Sequence, residues 1–164
     1  MSDQSIPLER WSDVAKVAIS EIATSSLGCE ARIDDGSVET EPGHWGSLVA
    51  LVSGRNATCV GVSATPEGCR TIAGAMLGMD ATESAELSHD DVRDSIGEIA
   101  NILAGVMKGR LTEEDPALTL GLPLFIDGIV EGDRRSRALH IVCNLGDTRC
   151  LLTLLVGWEQ RAAA

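Results

Sequence analysis

One row of polar residues stands out among those that could do chemistry. Asp94, Glu98 and Asn101 are spaced i, i+4 and i+7, so in a helix their side chains lie along one side. The carboxamide of Asn101 can both donate a hydrogen bond to a water molecule and accept one from it, with longer reach than a Ser or Thr hydroxyl. The spacing therefore indicates a working surface on a helix.

Glycines surround this row. Gly105 continues it, and Gly97 and Gly109 flank it. Each glycine inside a helix costs about 1 kcal/mol relative to alanine, so three cost about 3 kcal/mol, and an idle solvated face would gain nothing from them. Two interpretations stay open: the glycines let a visiting backbone come close, or they allow tight packing against a neighbouring helix, such as the first one.

The helix that carries the row has clear sequence signals. The segment Ser88-His89-Asp90-Asp91 is typical of a capping box, with an acidic residue three positions after the serine. From there the helix is expected to continue to about Leu111. Its apolar residues gather on the side opposite the polar row and predict packing on a sheet: Ile96, Ile99, Ile102, Leu103, Val106 and Met107.

The other elements predict an antiparallel sheet. A first helix is expected over residues 6–27, and a second begins with the Thr65 cap and Pro66 and ends at Gly78. Residues 79–87 look like an acidic connection. Neighbouring strands with short turns favour an α+β fold with antiparallel pairing over a doubly wound parallel α/β sheet. The expected strands are a short one within 29–42, then Ser47–Ser53, Ala57–Ser63, Ala117–Leu122, Leu124–Val130, Ala138–Asn144 and Cys150–Val156.

The chain also carries a trace of internal duplication. Residues 21–28 align without a gap to residues 98–105, with four identities in eight positions. We therefore expect one domain over residues 1–164, with a degenerate first half (6–78) and a second half (88–158). The two copies differ at the position of Asn101, because the first copy has Thr24 there.

The segment from Asp94 to Asn101, with Gly105 and Pro123 downstream, resembles the signature of the CheC, CheX and FliY phosphatases of bacterial chemotaxis. That signature is Asp or Ser, three residues, Glu, two residues, Asn, and a proline some twenty residues later. Here 21 residues separate Asn101 from Pro123, one fewer than usual. A single complete motif is similar to CheX rather than to the two-site CheC.

The resemblance implies a fold and an activity. The fold would be an antiparallel sheet with long helices packed on one face. The activity would be hydrolysis of the aspartyl phosphate on a CheY-like response regulator. Glu98 would pair with the regulator's active-site lysine, and Asn101 would orient the attacking water. Such hydrolysis needs positioning more than covalent help.

The resemblance also implies the surroundings of the site. Asp94, Gly97, Gly105 and Pro123 would support it or contact the partner. No cofactor is expected on this chain, because the regulator would hold the Mg²⁺. The first-helix copy, with Glu21 and Thr24, should be inactive, and members of the CheX type form homodimers by joining sheets.

Composition narrows the partners. The net charge is −12, and three Trp and one Phe are the aromatics of the whole chain, which argues against nucleic acid and anionic membranes. The basic run Arg134–Arg137 lies between two expected strands and is interpreted as a solvated hairpin loop. No GxxxxGK[ST], GxGxxG or GxSxG motif supports nucleotide binding or serine hydrolysis.

The remaining signals concern location and metal. Five cysteines without a CxxC pair favour free thiols, and neither a signal peptide nor a spanning apolar stretch is expected, so the prediction is cytoplasmic. His89 beside Asp90 and Asp91 could hold a divalent ion, but a helix N-terminus explains this cluster better, so no metal site is predicted. Two other functions stay open: a non-catalytic CheX-like module that binds a receiver or a flagellar switch, and a structural dimer.

Overall fold

A computed structural model describes residues 6–34, 44–54 and 56–159 of the chain. Four helices occur within these residues: α1 (Leu8–Ser26), α2 (Pro66–Leu77), α3 (Ala81–Ala85) and α4 (His89–Leu111). Seven strands accompany them: β1 (Ala31–Asp34), β2 (Trp45–Ser53), β3 (Asn56–Ala64), β4 (Thr119–Leu120), β5 (Leu124–Asp127), β6 (Arg137–Leu145) and β7 (Thr148–Glu159). No described helix combines the length and apolar character that spanning a membrane would need.

Helix ends form where the sequence predicted them. At the start of α4, the Ser88 hydroxyl accepts a hydrogen bond from the Asp91 backbone N–H at 3.1 Å, and the Asp91 carboxylate accepts one from the Ser88 N–H. The Thr65 hydroxyl caps α2 in the same way, and Gly78 ends that helix at a φ of +70°. These contacts satisfy backbone groups that a helix leaves unpaired at its ends.

The strands form one antiparallel sheet in the order β1-β6-β7-β3-β2-β4, and β5 also pairs with β2. The predicted β2–β3 hairpin is present. The order is symmetrical about the central β7–β3 pair. Each half contributes one hairpin, β2–β3 or β6–β7, and the first strand of each half pairs with the hairpin of the other half. This symmetry fits the duplication, which stays a prediction.

The core lies on one face of the sheet. Val49, Val60 and Leu154 are opposite one another on β2, β3 and β7, and they belong to the same buried cluster as apolar residues of α1, α2 and α4. The predicted α+β fold, an antiparallel sheet with helices packed on one face, is confirmed.

Two predictions about connections were wrong. Residues 79–87 contain the short helix α3, whose Asp80–Glu83 capping box was a usable signal. The Arg134–Arg137 run is exposed as expected but does not lie in a hairpin, because β5 pairs with β2 whereas β6 pairs with β1 and β7. Residues 128–136 therefore bridge strands that are not neighbours. β4 is also much shorter than the expected Ala117–Leu122.

The contact between Gly74 of α2 and Ser84 of α3 generates a stability prediction. A Cβ added at Gly74 would lie 1.7 Å from Ser84 Oγ and 2.5 Å from Ser84 Cβ, so Gly74→Ala must push α3 away. We expect the free energy of unfolding to fall by about 1–3 kcal/mol in chemical denaturation.

The matched control is Gly109→Ala, where nothing lies within 4 Å of the added Cβ among the described residues. It should raise the free energy of unfolding by about 0.5–1 kcal/mol, since alanine is the better helix former. Equal stability of Gly74→Ala and the wild type would contradict the packing described here.

Candidate functional site

The polar row predicted on α4 faces outward. Asp94 and Glu98 are exposed, and Asn101 and Gly105 are half-buried. Ile102 and Val106, expected on the apolar side, are only half-buried. The buried side of the helix is instead widened by small residues and comprises Val92, Ser95, Ile96, Ile99, Ala100, Leu103, Ala104, Met107 and Leu111.

The Glu98 and Asn101 side chains have no polar partner among the described residues. Within residues 6–34, 44–54 and 56–159, no hydrogen bond or ion pair joins the Glu98 or Asn101 side chain to another residue. Asp94 lies 3.8 Å from Arg93 Nε, but both side chains are exposed, so this pair contributes little. A carboxylate and a carboxamide are therefore available to a visiting molecule.

The corresponding row on α1 is already engaged. The Glu21 carboxylate forms an ion pair with Arg110 of α4, and the Thr24 hydroxyl donates to the Ser20 carbonyl at 3.2 Å. The two aligned segments thus have different surroundings. Glu21 and Thr24 make polar contacts with their own chain, whereas Glu98 and Asn101 make none with the described residues.

Pro123 lies beside the row. A Cβ added at Gly97 would be 3.6 Å from Pro123 Cβ and 4.0 Å from Ser47 Oγ. Ser47 is buried on β2, and its hydroxyl donates to the Leu124 carbonyl at 3.3 Å. The structure therefore brings Gly97 and Pro123 together next to Glu98. Ser47 was missed by sequence analysis, although a serine at the start of an apolar strand was a visible irregularity.

The glycines of α4 do not serve helix packing within the described chain. Nothing lies within 4 Å of a Cβ built on Gly105, and the same holds for Gly109 among these residues. At Gly97 the added Cβ would make ordinary van der Waals contact. The interpretation that the glycines allow α1 to approach is thus not supported, and open access to the row is favoured.

An aromatic cluster that the sequence did not reveal fixes the start of α4. The His89 ring meets Trp45 and Phe125 edge-on, with ring centroids 4.7 and 5.3 Å apart, and the Arg70 guanidinium lies over Trp45 at 5.4 Å. These contacts tie α4 to β2 and β5 and account for His89. In the part of the chain that the structure describes, no group of three His, Cys, Asp or Glu side chains could hold a metal ion.

Cys69 and Cys150 are unsuited to nucleophilic chemistry. Burial raises the pKa of the Cys69 thiol to about 12. A hydrogen bond with Cys143 is the main cause that raises the pKa of Cys150 well above its ordinary value, and burial adds to it. Because the thiolate is the reactive form, these two thiols are unreactive, and both lie buried in the core. The polar row on α4 remains the candidate site.

The comparison with protein families decides the affiliation. The family described as "Chemotaxis phosphatase CheX" matches residues 47–143, more than half of the 164-residue chain. The chain belongs to the CheX family. The family match includes most of β2, all of α4 and the segment with Pro123, which are the elements that form the candidate site. No curated protein sequence is significantly similar to this chain.

Solved structures share the fold of this CheX-family chain at low identity. The chemotaxis protein CheX from Vibrio vulnificus has a TM-score of 0.74 and 14% identity, covering 89% of this chain and 98% of that one. CheX in the CheX-CheY-BeF3-Mg²⁺ complex from Borrelia burgdorferi has a TM-score of 0.65 and 18% identity, covering 95% of this chain and 100% of that one. The FliM middle domain from Helicobacter pylori has a TM-score of 0.61 and 9% identity, covering 93% of this chain and 94% of that one.

The open glycine of this CheX-family site generates a prediction. Gly105→Ala should raise the free energy of unfolding by about 0.5–1 kcal/mol, because it adds helix propensity without a steric clash. Chemical denaturation followed by circular dichroism measures this change. A clear loss of stability would show that Gly105 packs against a part of the protein that the described residues lack.

Proposed function

We propose that this chain hydrolyses the aspartyl phosphate of a CheY-like response regulator, with Asn101 and Glu98 on α4 as the residues that act on the partner. The observation that carries the proposal is the unengaged pair on an outward-facing helix, set against the engaged Glu21 and Thr24 on α1. Membership of a family described as chemotaxis phosphatases supports the reaction class, and a CheX of the same fold has been solved in complex with CheY.

In the proposed reaction, Asn101 enters the regulator's site and holds a water molecule by donating and accepting hydrogen bonds. The water oxygen attacks phosphorus, and the bond between phosphorus and the aspartyl oxygen breaks. The products are inorganic phosphate, which keeps the oxygen of the water, and a free carboxylate on the regulator. The water's excess proton passes to the phosphate or to solvent. The protein's contribution is positioning, which can supply several orders of magnitude in rate.

Glu98 has a different part in the proposal. Its exposed carboxylate would bind the lysine of the regulator's active site and set the helix in register with the phosphoryl group. Asp94 would add negative charge along the same row, and Gly97 and Gly105 would leave room for the regulator's backbone. The Mg²⁺ would belong to the regulator, as the resemblance to CheX implies.

A non-catalytic docking module is the second candidate. The fold is shared with the FliM middle domain as well as with CheX proteins, so the architecture alone does not distinguish catalysis from binding. The two candidates differ in one measurable respect: a docking module would bind the phosphorylated regulator without shortening the life of the acyl phosphate.

The central test follows the decay of the acyl phosphate on CheY-like receivers from the source organism. The wild type should accelerate decay, and Asn101→Ala should lower the catalysed rate about 10²-fold, as expected when one positioning group is lost. Glu98→Ala should raise KM about tenfold, because a charge-assisted contact is removed. Both residues lie outside the core, so the variants should retain the wild-type circular dichroism spectrum.

Thr24→Ala, at the aligned position on α1, is the matched control and should leave the rate unchanged. Binding without faster decay would favour the docking module over the enzyme. A rate that does not depend on Asn101 would contradict the assignment of this residue.

Electrostatics gives a further prediction. With a net charge of −12, this chain faces a receiver site that is itself acidic, so long-range attraction cannot be the main source of affinity. Raising NaCl from about 50 to about 500 mM should lower Kd by about threefold by screening repulsion. Isothermal titration calorimetry at the two salt concentrations measures this, and a steep loss of affinity with salt would contradict the proposed docking.

Assembly and location complete the proposal. We propose a homodimer, as the resemblance to CheX implies, and light scattering would give its mass directly. A cytoplasmic location is proposed because all five cysteines are free thiols, which a reducing compartment preserves.

A further inference from the structure

The strands that pair with the outer edge of β2 contain one extra residue. β4 ends where Leu120 pairs with Leu51 of β2, and β5 begins where Leu124 pairs with Leu48. Between these two pairs, β2 has two residues (49–50), whereas the outer chain has three (121–123). The pairing therefore shifts by one residue. Such a shift is a β-bulge, and bulges change the direction in which the following side chains point.

The bulge brings two residues to the same position on α4. Phe125 lies opposite Ser47, and the Phe125 ring meets His89 of α4 at 5.3 Å, so this pair faces the helix. A Cβ added at Gly97 would be 4.0 Å from Ser47 Oγ and 3.6 Å from Pro123 Cβ. Gly97 of α4 is therefore bordered by Ser47 on β2 and by Pro123, the last residue of the bulge.

The chain is anchored to β2 on both sides of Pro123. Before it, the Gly121 N–H donates to the Ala50 carbonyl at 2.8 Å. After it, the Leu124 carbonyl accepts a hydrogen bond at 3.3 Å from the hydroxyl of Ser47, a residue that is only 1% exposed. Proline has no N–H to donate. The position of Pro123 therefore depends on the contacts of its neighbours, and the Ser47 hydroxyl supplies one of them.

Pro123 borders the side of α4 that carries Asn101. Asn101 comes four residues after Gly97, so it lies one helical turn along the same side. Pro123 is exposed, whereas α4 is held in place by its own buried side. A shift of the bulge would therefore move Pro123 relative to Asn101 without moving the helix.

We propose that Ser47 is a positioning residue of the candidate site. Its buried hydroxyl, by holding the Leu124 carbonyl, keeps Pro123 against Gly97, and Pro123 is one wall of the surface that the response regulator meets on its way to Asn101. Ser47 does not touch the regulator and acts only through Pro123. A wall that is fixed before binding loses less entropy when the partner arrives. This inference rests on the proposed function and deepens it.

The test is a double-mutant cycle between Ser47→Ala and Pro123→Ala. The substrates are phosphorylated CheY-like receivers from the source organism, and KM and kcat are measured for the decay of the acyl phosphate. Each single variant should raise KM about fivefold, as for the loss of one interface contact, and kcat should not change because Asn101 is intact. The double variant should also raise KM about fivefold rather than about 25-fold, since Ser47 acts through Pro123.

Two further variants separate positioning from stability. Ser63→Ala removes another buried hydroxyl. Ser63 follows Val62, which pairs with Ser47, so its side chain points to the opposite face of the sheet and KM should equal that of the wild type. Ser47→Cys keeps the size of the side chain but has a weak donor, so it should raise KM as Ser47→Ala does. It replaces Ser47→Ala in the cycle if circular dichroism shows that the alanine variant is unfolded.

The outcomes separate this inference from the proposed function. An unchanged KM in the Ser47 variants or in Pro123→Ala would overturn the positioning role, whereas slower decay with Asn101→Ala would still support the enzyme. Additive effects in the double variant would also overturn it. If receivers bind without faster decay, calorimetry with beryllofluoride-activated receivers applies the same cycle to Kd, and a non-additive result there would support the positioning role and reject hydrolysis. Receivers that do not bind the wild type at all would overturn both.

Discussion

Burial of one side of α4 on the sheet is the constraint on which the site depends. Ile96, Ile99, Leu103 and Met107 are 1% exposed or less, and each contributes about 1.5–3 kcal/mol by leaving water. Such a side cannot rotate outward without losing much of the core. The opposite side of the same helix is therefore held toward solvent, and the positions of Glu98 and Asn101 follow from the hydrophobic effect rather than from contacts of their own.

The two halves of the fold use the same arrangement differently. In the symmetrical strand order, each half contributes an edge strand that pairs with the other half. On α1, the ion pair between Glu21 and Arg110 ties the row to α4. On α4, Glu98 has no described partner. An exposed ion pair adds at most about 1 kcal/mol, so the difference between the rows concerns availability to a partner more than stability.

Local signals in the sequence predicted much of the fold and indicated the candidate site. The Ser88–Asp91 capping box and the helical period of α4 involve residues a few positions apart, so a single sequence reveals them. The pairing of β5 with β2, and the meeting of Trp45, His89 and Phe125, join distant segments. No local pattern encodes such contacts, which is why the Arg134–Arg137 hairpin was wrong. Pro123 was expected near the site from the resemblance, but its contact with Gly97 required the folded chain.

The glycines of α4 show how stability and access oppose each other here. Gly105 and Gly109 have open space where a Cβ would stand, so alanine would fit and would strengthen the helix by about 0.5–1 kcal/mol at each position. A sequence under selection for stability alone would have little reason to keep them. Gly105 lies one helical turn after Asn101, and in the proposed function its missing side chain would let the backbone of the regulator approach the carboxamide. The lost helix stability is offset by the large apolar contact on the other side of α4.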